Sequence, residues 1–344
     1  MDNKKLFYIS FIKLIASFSV LILHANGMFW NFSSTEFYWK AANVIESVFY
    51  FAVPMFFMII GVTLFDFYDR YTLKEYFYKR FTKVFIPFIA WSIISLVASI
   101  YTKKVSISEI SLSYIYKAIF EYKTVGIYWF FASLFCIYLS VPLFAAVNKN
   151  RRKEVFCYCV IAGFVFNILF PFIKSLLKLE IGLPYSIIVS SRELIFPLLG
   201  WIIHNCSFKK SEKIVIYIFG LVGLLVHLIG TYVLSMEACH IVTLFKGYTN
   251  PPCILYSIAV FVFLKNIGET LSLTRISKTI EYLSTYSFEV YLMQPYFLYI
   301  TSRNPFISTH TVIYSLCAPI VIFALTVLTV YIIRKIPVLK YIVP

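Results

Sequence analysis

Apolar runs long enough to cross a bilayer recur along the whole chain, and a helix is the one single-segment way to carry a backbone through hydrocarbon with its polar groups satisfied. The runs fall near residues 6–29, 44–65, 84–101, 126–147, 155–173, 185–204, 214–234, 251–267, 282–302 and 312–333. They predict an all-α fold, a polytopic membrane helix bundle of about ten transmembrane helices. Composition agrees: 60% of the 344 residues are hydrophobic, 20% aromatic and only 14% charged, with mean hydropathy +0.82. Soluble domains do not show this balance.

A formal charge of +15 would suit a nucleic-acid binder if it were concentrated in one region. Instead the basic residues sit in short tracts between apolar runs, so the charge is read as topology and nucleic acid is set aside as a partner. With the N-terminus inside, nineteen Lys and Arg fall in cytoplasmic connections and tails and nine in outer ones. That asymmetry obeys the positive-inside rule, which predicts cytoplasmic termini and a multi-pass protein of the cell membrane in contact with lipid. Residues 148–154 (NKNRRKE) are the strongest anchor. No internal repeat, low-complexity tract or linker interrupts the pattern, so residues 1–344 are expected to form a single integral-membrane domain. The first run lacks a small-x-small cleavage site and is expected to stay as a helix. The seven cysteines, mostly inside apolar runs, read as core thiols rather than a disulfide framework or zinc site.

The first run, FYISFIKLIASFSVLILHANGM, carries Lys13 and His24 where ionisable groups are expensive and usually face protein or a cavity. Eleven helical steps of about 100° return to nearly the same face, so both side chains lie on one stripe, about 16 Å apart along the axis. Imidazole is the side chain best matched to general-base work near neutral pH. Lysine can hold an anionic group or a developing oxyanion, although snorkelling to the cytoplasmic interface is its structural alternative. A lone membrane histidine is otherwise satisfied by one partner or caps a helix end.

Other ionisable groups break the apolar pattern. Lys79, Arg80 and Lys83 cluster before the third run, where Arg80 and Lys83 are expected to share a helix face suited to clamping a phosphate; positive-inside charge is the alternative. Arg192 and Glu193 stand in the middle of the sixth run, as a functional pair or as an ion pair, mutual or with Glu46 or Glu289. Glu46, Glu289 and Gln294 are further polar candidates in apolar context, whereas His204 and His227 look structural. No two histidines or carboxylates show a ligand spacing, so no metal is expected. Within residues 102–125, the amphipathic stretch ISEISLSYIYKAIFEY suits a helix on the membrane surface or one that re-packs on the bundle.

Several stretches, in order, resemble one family. Lys13 and His24 with ten residues between them resemble the signature of the membrane-bound acyltransferase type 3 family, integral-membrane enzymes that O-acylate glycans outside the cytoplasm. VPMFFMIIG (53–61) is similar to its P-x-F-F-x-x-S-G element, with Ile60 at the serine position. KRFTKVFIPFIAW (79–91) resembles its R-x-x-R and I-P element, with Lys83 for the second arginine. YWFFASLFCIYLSVPLF (128–144) and SFEVYLMQP (287–295) resemble its W-F-x-x-x-L-x-x-Y-L-x-x-P and S-F-x-I-Y-L-x-H-P helices, the latter with Gln294 at the histidine position.

The resemblance implies transfer of an acyl group, most often acetyl, from cytoplasmic acyl-coenzyme A to a hydroxyl of an outward-facing glycan or lipid-linked glycan. It implies His24 as catalytic base with Lys13 as its cationic companion. A basic face around Lys79, Arg80 and Lys83 suits the polyanionic donor. Two other readings compete. A polytopic transporter or flippase of a glycan or small solute has equal use for intramembrane charge, but the sequence lacks inverted repeats and paired broken helices. A glycan polymerase or ligase would carry a large charged outer loop.

Overall fold

In the computed structural model of the protein, residues 7–181, 191–303, 311–337 and 339–343 are described. Among these residues the structure is helical, with no strand. Among the described residues eight segments are long and apolar enough to cross a membrane: Phe7–Ala25, Phe37–Asp69, Leu73–Tyr101, Gly126–Ala145, Arg152–Leu176, Lys210–Ala238, Pro251–Leu271 and Val312–Ile333. The sixth and ninth predicted spans appear as the shorter helices Ile195–Asn205 and Ser287–Ser302, so each of the predicted spans has a helical counterpart.

The chain divides into two units. The first comprises Met1–Thr63 and Val147–Ala324. It holds α1 (Phe7–Ala25), α2 (Phe37–Phe49) and α3 (Ala52–Leu64), the last two forming one long span broken at Tyr50 and Phe51. The second unit, Leu64–Ala146 with Leu325–Pro344, holds α4 (Leu73–Arg80), α5 (Ile86–Tyr101), α6 (Leu112–Phe120) and α7 (Trp129–Ala145). The chain then returns to the first unit with α8 (Arg152–Ala162), α9 (Phe170–Leu176), α10 (Ile195–Asn205), α11 (Lys210–Ala238), α12 (Pro251–Leu271), α13 (Ser277–Ser284) and α14 (Ser287–Ser302). Most of α15 (Val312–Ile333) also belongs to it.

Close helix approach in the first unit depends on missing side chains, as expected where lipid supplies no hydrophobic drive for association. α3 and α10 cross through reciprocal glycines: a Cβ on Gly61 would strike the Pro197 backbone, and one on Gly200 would strike that of Met58. α11 and α12, the most extensively packed pair, meet through Gly220 against Ala259 and Gly223 against Pro252. α1 is enclosed by α12, α13 and α14, which explains how a helix with a lysine and a histidine sits among apolar neighbours.

The second unit is built on aromatic packing. Phe88 meets Phe131 at 4.7 Å and Phe135 at 5.6 Å between ring centres, and the Tyr76 hydroxyl donates to the Tyr138 carbonyl at 2.9 Å. Thr72 and Glu75 form a reciprocal capping box at the start of α4. The amphipathic stretch in the long connection forms α6, whose Tyr114 and Ala118 pack with Leu96 of α5. α4 passes into α5 through a π-helical turn, Phe81–Phe85, and α8 into α9 through another, Gly163–Leu169. The cysteines depart from the expectation of core thiols: all are free, but only Cys159 and Cys253 are buried, while Cys136, Cys239 and Cys317 are exposed. A thiol inside an apolar run goes wherever its helix face points.

Candidate active site at the end of α1

α1 ends just after His24 because the next residues are held elsewhere. The buried Asn26 amide donates to the Ala42 carbonyl at 2.9 Å and to Glu46 at 3.2 Å, and its side-chain oxygen accepts from Ser315 at 3.5 Å. A 3₁₀ turn, Gly27–Trp30, follows, pinned by the Trp39 indole donating to the Phe29 carbonyl at 2.9 Å. His24 is thereby placed on the edge of a cavity of about 340 Å³. The turn supplies Met28 and Asn31 to its wall, α14 supplies Pro295, Tyr299 and Ser302, and α15 supplies Tyr314.

α1 packs against α14, which carries two of the other polar candidates. His24 Nδ1 lies 2.9 Å from the Gln294 side-chain oxygen, and Lys13 is under the electrostatic pull of Glu289. Gln294 and Glu289 are buried, at 0% and 1% exposure, whereas Lys13 and His24 are half-buried. Four of the sequence-predicted candidates are thus brought to one pair of helices. A hydroxyl entering the cavity beside the imidazole would meet a base with its other ring nitrogen already engaged, the geometry general-base catalysis requires.

Glu46 takes a partner that the sequence did not assign. Lys246, in the connection before α12, donates to it in a buried ion pair, each residue 5% exposed. The ammonium also lies over the rings of Tyr50 at 4.0 Å, Phe29 at 4.6 Å and Trp30 at 5.3 Å. Burial pushes Lys246 below the usual lysine range, with Glu46 pulling it back up. The missed signal was local: Lys246 stands among Leu244, Phe245 and Tyr248 in an otherwise short connection, where charge alone had marked it as topology.

Arg192 and Glu193 correct the expectation of a position in the middle of a helical span. They form the turn before α10, where the Leu194 amide donates to the Ser191 carbonyl at 3.2 Å and helix begins only at Ile195. Arg192 is exposed and Glu193 half-buried. Placing the two charges at the helix entrance avoids the cost of burying them. The first part of the sixth predicted span, residues 185–190, lies outside the described residues.

The basic cluster belongs to the second unit. Arg80 is half-buried, its guanidinium 5.4 Å from the Tyr138 ring centre and 5.8 Å from that of Tyr76. Lys79 lies 3.9 Å over the Tyr71 ring, and Lys83 is exposed on the π turn. The wider turn rotates Lys83 away from the face it would share with Arg80 in a regular α-helix.

Comparison with known proteins is consistent with this arrangement. A family model described as an acyltransferase domain matches residues 6–335. Comparison with curated proteins and with solved structures gives no match. The match spans nearly the whole chain and covers every candidate residue discussed above. The chain belongs to the acyltransferase type 3 family and is a multi-pass membrane acyltransferase.

Proposed function

We propose that the protein is an O-acyltransferase of the cell membrane, with acetyl as the group transferred, moving it from cytoplasmic acyl-coenzyme A to a hydroxyl of an extracytoplasmic or lipid-linked glycan. The observation that carries this reading is His24: one ring nitrogen faces a buried amide, the ring edges a cavity walled by Asn31, Ser302, Tyr299 and Tyr314, and the chain belongs to an acyltransferase family. Amide and hydroxyl groups beside aromatic faces suit a sugar.

In this reading His24 takes the proton of the acceptor hydroxyl as its oxygen attacks the thioester carbonyl. A carbon–oxygen bond forms, the carbon–sulfur bond breaks, and the proton returns from the imidazolium to the departing coenzyme A thiolate. Lys13, with Glu289 on the neighbouring α14, supplies positive charge on the same face of α1 for the anionic donor. Lys79, Arg80 and Lys83 contact the donor's phosphates.

Protein in nanodiscs, supplied with radiolabelled acetyl-coenzyme A and candidate glycans, tests the reading. Wild type transfers label, and His24→Ala lowers transfer by about two to four orders of magnitude with protein level unchanged. Full transfer by His24→Ala removes the base assignment. Movement of an unmodified glycan across the bilayer without acylation would favour the transporter.

A further inference from the structure

We infer that Gln294 is a positioning residue that fixes His24 in the tautomer carrying its proton on Nδ1, so that the unprotonated Nε2 is the ring's basic atom. The argument starts one residue later. Pro295 lies inside α14, and proline has no N–H to donate to the carbonyl four residues back, which is that of Tyr291. Gln294 supplies a donor in its place: its Nε2 donates to the Tyr291 carbonyl at 3.3 Å.

That bond settles which way the amide faces. With the NH₂ group turned to a carbonyl, the side-chain oxygen is turned to His24 Nδ1 at 2.9 Å. A flipped amide would set two oxygens against each other at Tyr291. An amide oxygen only accepts, so Nδ1 must be the donor and must hold the ring proton. Gln294 is fully buried, so water does not compete for either bond. Pro295 and His24 line the same cavity, which puts the proline that frees the carbonyl beside the base oriented through it. A neutral amide also cannot accept a proton from the imidazole, so a proton taken up at Nε2 leaves by Nε2.

The tautomer stands on geometry alone; its catalytic consequence rests on the proposed role of His24 as base. Nitrogen NMR of the full-length protein in nanodiscs, with ring-labelled histidine and His24→Ala for assignment, reads the tautomer without reference to activity. Wild type is expected to show His24 protonated on Nδ1, Gln294→Leu to lose that preference, and Gln294→Glu to retain it. In the transfer assay Gln294→Leu is expected to lower kcat by about tenfold to a hundredfold with the donor KM unchanged. Gln294→Glu, which keeps an acceptor for Nδ1 but loses the donor to the Tyr291 carbonyl, lowers transfer less than Gln294→Leu and moves the acid limb of the pH profile upward, because a carboxylate favours the imidazolium.

A wild-type His24 protonated on Nε2, or a Gln294→Leu protein with an unaltered tautomer, overturns the inference. A lost tautomer with undiminished transfer supports the positioning and instead removes His24 as the base.

Discussion

Lys246 and Glu46 form a buried ion pair that ties the connection before α12 to the last turn of α2. Glu46 also accepts from Asn26, the residue that turns the chain away from α1, and Lys246 sits over Phe29 and Trp30 of the turn that walls the cavity. The pair therefore reaches His24 through two covalently adjacent segments, without touching it.

Removing one partner should be far worse than removing both. Lys246→Met leaves a buried carboxylate uncompensated, a loss of about 3–5 kcal/mol in stability. The double variant Lys246→Met with Glu46→Gln should recover most of it, since the desolvated charge is then gone. Thermal unfolding of the three proteins in nanodiscs checks this. A double variant as unstable as the single one would mean that the pair matters through shape rather than charge.

The α3–α10 crossing gives a second expectation. Gly61→Ala places a methyl group against the Pro197 backbone, which cannot move aside as a side chain can. The helices must separate, at a cost of about 1–3 kcal/mol. Gly126→Ala, where an added methyl group meets nothing within 4 Å, is the matched control. Equal melting temperatures for the two variants would show that the crossing is looser than described.

What the sequence revealed and what it hid divide along physical lines. Helical spans were legible because hydrophobic length is a local property, and the Lys13–His24 stripe because helical periodicity relates residues eleven positions apart. Their partners were found as isolated polar residues, but not paired with them: Gln294 is 270 residues from His24, and no local rule links them. Lys246 was hidden because a lysine in a connection satisfies the topology rule whether exposed or buried. Arg192 and Glu193 were misplaced because a run of apolar residues on either side does not show where the helix starts.

His227 provides a third expectation, of the opposite sign. It is 1% exposed, it meets the edge of the Tyr50 ring at 5.0 Å, and neither ring nitrogen has a hydrogen-bond partner among the described residues. Thr231, one turn on, and Asn43 and Ser47 on the facing α2 also leave a buried polar atom unpaired. Buried groups without partners lose their hydration for no return, about 1–3 kcal/mol each. His227→Leu should therefore leave the melting temperature unchanged or raise it. A fall equivalent to more than about 1 kcal/mol would instead indicate that water bridges these groups between α2 and α11.

The basic cluster allows Arg80 and Lys83 to be separated. Arg80 has its guanidinium against the Tyr76 and Tyr138 rings and its Nε buried, so it is ordered before any donor binds. Lys83 is exposed on the π turn and must be ordered on binding, which costs side-chain entropy. Arg80→Ala should weaken coenzyme A binding more than Lys83→Ala, and the double variant by about tenfold or more, since each charge-assisted contact to phosphate is worth about 1.5–3 kcal/mol before that entropy is subtracted. Affinity should also fall with added salt, as for any contact between exposed charges. Calorimetric titration of coenzyme A into the nanodisc-embedded protein measures all three variants. An affinity indifferent to both substitutions and to salt would leave the cluster with topology as its whole role.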